Sequence, residues 1–203
     1  MDVMEAAKAR RSIRSYREAP VSRQVLTEMV EAARLAPVAV NRQCLEFVVV
    51  DEPGLAALIF ATLKWAALTA PKGTPAPGHR PTAYLAVCVR QEYKPAIGAA
   101  YDIGAAIQSI LLLAVARGLG GCWLKSINIP QASQILGLPE GVELDSIVAL
   151  GPADEAPAVV ELAPDQSGLE VVKYYRDEAN QHFVPKRALA AVVSWQKYGG
   201  KLA

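Results

Sequence analysis

Apolar positions follow two rhythms along this chain of 203 residues, and each rhythm predicts an element type. Val25, Leu26, Met29, Val30 and Ala33 recur at helical spacing after Ser22, a good helix cap, and Pro37 lies just past their end. Asp2 is the expected cap of an earlier helix that carries Met4 and Ala7 toward Arg10. Phe47–Val50 reads as a short apolar strand, broken by Pro53-Gly54 before a helical stretch over Leu55–Leu68. A loop rich in proline and glycine, Pro71–Pro81, follows; it is expected to be exposed and to border an active site. Ala83–Val89 and Leu144–Leu150 read as strands, and Cys122–Leu124 begins another. Asp102 is the expected cap of the longest helix, with Gly118 as its terminator. Asn128 and Pro130 open a short helix that Gly137 closes. After Gly151 the pattern is irregular until Ala188–Tyr198, which reads as a terminal helix. Few strands among irregularly placed helices predict an α+β fold with one central sheet, in a single domain over 1–203.

The run Ile103–Leu119 is apolar on nearly every face. Gln108 and Ser109 interrupt it and Arg117 charges its end, so it falls short of the roughly 18 uninterrupted apolar residues of a membrane span. A subunit interface is the expected setting for such a helix. Hydrophobic content of 52% is ample for a packed core, and a formal net charge of +1 gives no reason to expect nucleic acid or a membrane surface as partner. Cys44, Cys88 and Cys122 are widely spaced and form no Cys-x-x-Cys pair. That argues against a disulfide framework or metal cluster and suits a reducing cytoplasm. The first residues carry acid early and lack a signal-peptide core.

Candidate chemistry lies in four polar or glycine-rich stretches. Arg10-Arg11-Ser12-Ile13-Arg14 and Val184-Pro185-Lys186-Arg187 offer fixed cations and donors at opposite ends of the chain. Brought together they would form a socket for one phosphate monoester; taken singly, each is an ordinary solvated helix end or a polar pair before a helix. Asn41-Arg42-Gln43 could contact a flat heterocycle or simply cap a loop. In Gly118-Leu119-Gly120-Gly121 a helix feeds the glycines and a strand leaves them, the reverse of a Rossmann loop. It reads either as a helix end with a tight turn or as bare backbone that a ring can approach. There is no Gly-x-Ser-x-Gly elbow and no P-loop, and His79 and His182 have no companion ligands, so no metal is expected. No acid–base dyad stands out, which leaves the chemistry to a cofactor, and a phosphate socket with a ring site points to a flavin.

Taken in order, these pieces resemble the nitroreductase family of FMN-dependent oxidoreductases. Arg10-Arg11-Ser12-Ile13-Arg14 is similar to that family's opening Arg-Arg-Ser-x-Arg motif. Ala36-Pro37-Val38-Ala39-Val40-Asn41-Arg42-Gln43 is similar to its Ala-Pro-Ser-x-x-Asn-x-Gln segment, and Gly118-Leu119-Gly120-Gly121-Cys122-Trp123 to its Gly-Leu-Gly-x-x-Trp segment. Leu136–Gly141, Ala149–Pro152 and the late Val184-Pro185-Lys186-Arg187 extend the likeness over most of the chain.

The resemblance implies a central mixed, largely antiparallel sheet flanked by helices, in an intertwined homodimer with FMN at the interface. It implies that Arg10, Ser12, Lys186 and Arg187 bind the phosphate, and that Arg11 and Arg14 lie along the cofactor. Pro37, Val38 and Asn41 would come from the partner subunit, and backbone groups of Leu119, Gly120 and Gly121 would approach the ring. Lys64 and Trp65 occupy a region that often supplies groups near the ring, or are a surface lysine and a core tryptophan. NADH or NADPH would deliver hydride and leave. A small-molecule acceptor, a nitroaromatic, quinone or activated alkene, would then take the electrons in a ping-pong cycle. Other readings are a specialised reductive dehalogenase or flavin-destructase role, and a flavin-storage protein without turnover. Val38 stands where serine is usual, and the short Gln91–Ala100 stretch leaves little room for a helical lid.

Overall fold

The computed structural model describes residues 1–70 and 72–200; Pro71, the start of the expected loop, lies outside them. In chain order the elements are α1 (Val3–Ala9), α2 (Arg23–Arg34), β1 (Leu45–Val50), α3 (Pro53–Ala61), β2 (Ala83–Arg90), α4 (Ala100–Ala116), β3 (Gly120–Leu124), α5 (Ile129–Leu136), β4 (Val142–Gly151), β5 (Ala158–Leu162), β6 (Tyr175–Arg176) and β7 (His182–Arg187). They fall into two compact units. The first holds Met1–Trp65 and Thr74–Glu155; the second holds Ala66–Gly73 and the chain from Ala156 onward.

In the first unit four antiparallel strands lie in the order β1-β2-β4-β3. β2 is apolar at almost every position because both its faces are covered. Ala83, Leu85, Val87 and Val89 point into one core layer with residues of α2 and α4, while Tyr84, Ala86 and Cys88 point into the other with residues of α3 and α5. The alternation is the two-residue period of a strand, applied to a segment with no solvent face. Caps expected at Asp2 and Ser22 are present, the first as a reciprocal capping box with Glu5.

Four expectations are corrected. Asp102 does not cap α4; the helix starts earlier, from Ala99, and Asp102 is buried in its first turn. Its carboxylate accepts from the Ala39 N–H at 3.0 Å and faces the Cys44 thiol, so it anchors the 36–43 loop. α3 stops at Thr62 rather than at Leu68. Beyond it Leu63 pairs with Ile127, and the Lys64 N–H donates to the Ser126 carbonyl at 2.8 Å, which draws the chain off the helix. Gly120 and Gly121 lie inside β3 and not in a turn. Finally, the end of the chain is not a helix. Ala188–Tyr198 contains a single 3-10 turn, Leu189–Ala191, and the stretch before it, expected to be irregular, forms a second sheet in the order β5-β7-β6. The Lys186-Arg187 pair therefore sits on a strand.

Asp102→Ala is expected to destabilise the protein by about 1–3 kcal/mol, because it strands a part-buried N–H of the 36–43 loop. Urea unfolding and faster amide exchange at Ala39 measure this; unchanged exchange there would refute the anchoring role.

Candidate functional site

The chain leaves α4 through Gly118, whose φ of +73° is a left-handed helix-ending conformation that favours glycine. The next two glycines have a packing reason. A Cβ on Gly120 would meet Ile13 Cγ1 at 2.7 Å and Ile13 Cβ at 2.9 Å, and one on Gly121 would meet the Leu111 side chain at 2.6 Å. The bare strand lets the N-terminal segment lie directly on it. The Ile13 N–H donates to the Gly121 carbonyl at 3.1 Å, and Ser12 pairs with Gly121 in parallel. Two motifs far apart in sequence, Arg10–Arg14 and Leu119–Gly121, are thereby brought together.

The same segment is held from its other side. Tyr16 is fully buried, its hydroxyl donates to the Ile13 carbonyl at 2.6 Å, and its N–H donates to the His79 carbonyl at 3.1 Å. His79 in turn meets Asp154 at 2.8 Å, so the His79 end of the proline-rich loop lies against this segment. The Arg14 N–H donates to Glu155 Oε1 at 2.5 Å. Tyr16 and Glu155 were not singled out in the sequence, since no local pattern marks a tyrosine or glutamate that supports a distant strand.

Arg10, Arg11 and Ser12 are half-buried on this edge. The Arg11 guanidinium donates to the Arg10 carbonyl, and its Nε is buried with no hydrogen-bond partner among the described residues. Burial first, and the Arg10 charge second, hold Arg11 below the ordinary arginine range. A buried donor next to a second cation, Arg10, on the segment that carries the Ser12 hydroxyl is a donor set that suits a phosphate monoester. Arg14 sits in a different environment, between Glu155 and the Cys122 thiol. Burial raises that thiol to about 11, partly offset by Arg14, so Cys122 is a packed side chain and not a nucleophile at neutral pH.

Pro37, Val38 and Asn41 lie on the loop that Asp102 anchors. The loop is exposed at Pro37 and Asn41, and Val40, Asn41 and Gln43 have φ between 51° and 53°. A β-branched valine in that region is strained, a feature that clusters at functional sites. Asp102 opens α4 and Leu119 follows its end, so this loop and the glycine strand are about 25 Å apart along the helix, from the usual rise per residue. Lys64 is exposed, whereas Trp65 is buried in the core beside Phe60, with ring centroids 5.8 Å apart. Lys186 and Arg187 are exposed at the end of β7 in the second unit, where Arg187 donates to the Ala191 carbonyl at 2.7 Å.

A profile of the Nitroreductase family matches residues 7–152. That span takes in the Arg10–Arg14 segment, the 36–43 loop and the glycine strand. The chain belongs to the nitroreductase family. Among curated relatives, a Thermus thermophilus protein named NADH dehydrogenase is 31% identical over 76% of this chain and 89% of its own length. A Methanothermobacter thermautotrophicus protein, provisionally named NADH dehydrogenase/NAD(P)H nitroreductase, is 29% identical over 84% of this chain and 87% of its own. Among solved structures, a provisionally named nitroreductase of Desulfovibrio desulfuricans in complex with FMN superposes with a TM-score of 0.64. It is 25% identical and covers 80% of this chain and 92% of that one. The α+β architecture with its antiparallel sheet and flanking helices is thus the nitroreductase fold. Lys186 and Arg187 lie beyond the family match. No helix among the described residues is long and apolar enough to cross a membrane.

Proposed function

We propose that this nitroreductase-family chain is an FMN-dependent NAD(P)H oxidoreductase that acts as a homodimer with its cofactors at the interface. The observation that carries the reading is the docking of Arg10–Ser12 on the bare strand Gly120–Gly121, which holds half-buried cations and a hydroxyl at the edge of the sheet. Arg10, Arg11 and Ser12 hold the phosphate in this reading. Leu119, Gly120 and Gly121 line the ring through their backbone. Bound FMN supplies two-electron hydride chemistry, and the protein supplies binding, orientation and charge. Arg14 and the exposed Lys64 are the cations proposed to face the ring.

The homodimer has its own support. Pro37, Val38 and Asn41 are too far along α4 from the glycine strand of the same protomer to meet one ring, so a second copy supplies them. Half-buried Gly104, Ala105 and Leu112 on α4 give that copy a surface of small and apolar residues. A reduced nicotinamide and a nitroaromatic, quinone or activated alkene use the site in turn, in a cytoplasmic setting.

The purified protein is expected to show flavin absorbance, to release FMN on denaturation and to sediment as a dimer. Anaerobic mixing with NADH or NADPH should bleach the flavin bands. A colourless protein that takes up no FMN, or a stable flavin-loaded monomer, would overturn the proposal. Flavin that no reduced nicotinamide bleaches would leave a storage role instead.

A further inference from the structure

On the core face shared by α3 lies a cleft of about 600 Å³, within the range of small-molecule sites. None of the residues assigned above to FMN lines it. Its walls are apolar: Val21, Pro53, Ala56 and Phe60. Its polar lining is Glu18, Asp51, Arg80, Thr82 and Tyr84, and two of these, Arg80 and Tyr84, carry unpartnered donors among the described residues. Arg80 lies with its guanidinium over the Phe60 ring, 4.3 Å from the centroid. Its Nε is buried and has no hydrogen-bond partner among the described residues. Tyr84 is 1% exposed, lines the same cleft, and its hydroxyl also has no partner among the described residues. Burial raises the Tyr84 phenol, and the Arg80 charge acts against that rise.

The acids at the cleft are already engaged. Asp51 binds Arg23 through two contacts, at 2.5 and 3.2 Å, and Glu18 accepts from the Arg80 backbone N–H at 3.3 Å. What the cleft offers a visitor is therefore two buried donors, one of them cationic, beside an aromatic and aliphatic wall. Buried donors without partners are uncommon and disfavoured in proteins, and a planar acceptor with two oxygens satisfies both.

We propose that this cleft binds a small aromatic carboxylate, its ring against Phe60 and Pro53 and its two oxygens accepting from Arg80 Nε and the Tyr84 hydroxyl. The interaction is a charge-assisted pair at one end and apolar burial at the other. An aliphatic polyol leaves the wall unfilled.

The probe is 4-fluorobenzoate, titrated into the protein as purified and followed by fluorine NMR. Saturable binding is expected. Arg80→Gln should weaken it about tenfold or more, and 4-fluorobenzamide should bind about tenfold more weakly than the benzoate, because both changes remove the charge-assisted contact. Tyr84→Phe should weaken binding several-fold without lowering the melting temperature, since that hydroxyl has no partner among the described residues. Neither substitution should alter flavin content. Absence of saturable binding, equal affinity for benzoate and benzamide, or unchanged affinity in both variants would each overturn the site.

Discussion

Arg10→Ala should weaken FMN binding about tenfold or more. A hydrogen bond to a charged group contributes roughly 1.5–3 kcal/mol, and about 1.4 kcal/mol is a factor of ten in affinity. Arg10 is half-buried beside Arg11, so its charge is less screened than that of a freely solvated arginine. The loss should fall on the phosphate alone. The wild-type protein should prefer FMN to riboflavin strongly, and the variant should narrow that preference while leaving riboflavin affinity nearly unchanged. Arg10→Lys should recover part of the loss, because a point charge replaces a two-pronged donor. Flavin fluorescence titration of the cofactor-free protein measures all of these. Equal affinity of the wild-type protein for FMN and riboflavin would remove the phosphate socket.

The second large effect concerns the contact that builds the site. Gly120→Ala should destabilise the protein by about 1–3 kcal/mol, the usual cost of overpacking. For a chain of this size that is a fall of roughly 3–10 °C in melting temperature. The clash is with Ile13 Cβ at 2.9 Å as well as with its branches, and Ile13 is tied to Gly121 by its own N–H, so the neighbour cannot swing away. FMN affinity should fall too, since Arg10 and Ser12 ride on the displaced segment. Ile13→Ala removes the branch atoms that the new methyl would strike. Combined with Gly120→Ala it should cost clearly less than the sum of the two single changes, as contacting residues couple. Calorimetry of the four proteins closes the cycle, and strict additivity would mean that the strand is not held by this contact.

Elements whose information is local were legible in the sequence. Ser22 before a helical spacing, Asn128-Ile129-Pro130 opening a helix and Gly137 closing it, and the apolar run of β2 each depend on neighbours a few residues away. The order of the motifs was legible too, and with it the family. Elements that depend on distant partners were not. α3 ends where it does because Leu63 pairs with Ile127, and Asp102 looked like a cap because nothing nearby reveals that it serves Ala39. β5 and β7 pair in parallel across a long connection, and Pro185 within β7 argues against a strand unless its unpaired side is open, as it is where two-residue β6 stops short. The glycines of β3 show the division best. Their sequence says only that side chains are unwelcome there. Which neighbour excludes them, Ile13 against Gly120 and Leu111 against Gly121, is decided by close packing between segments that the chain brings together only when folded.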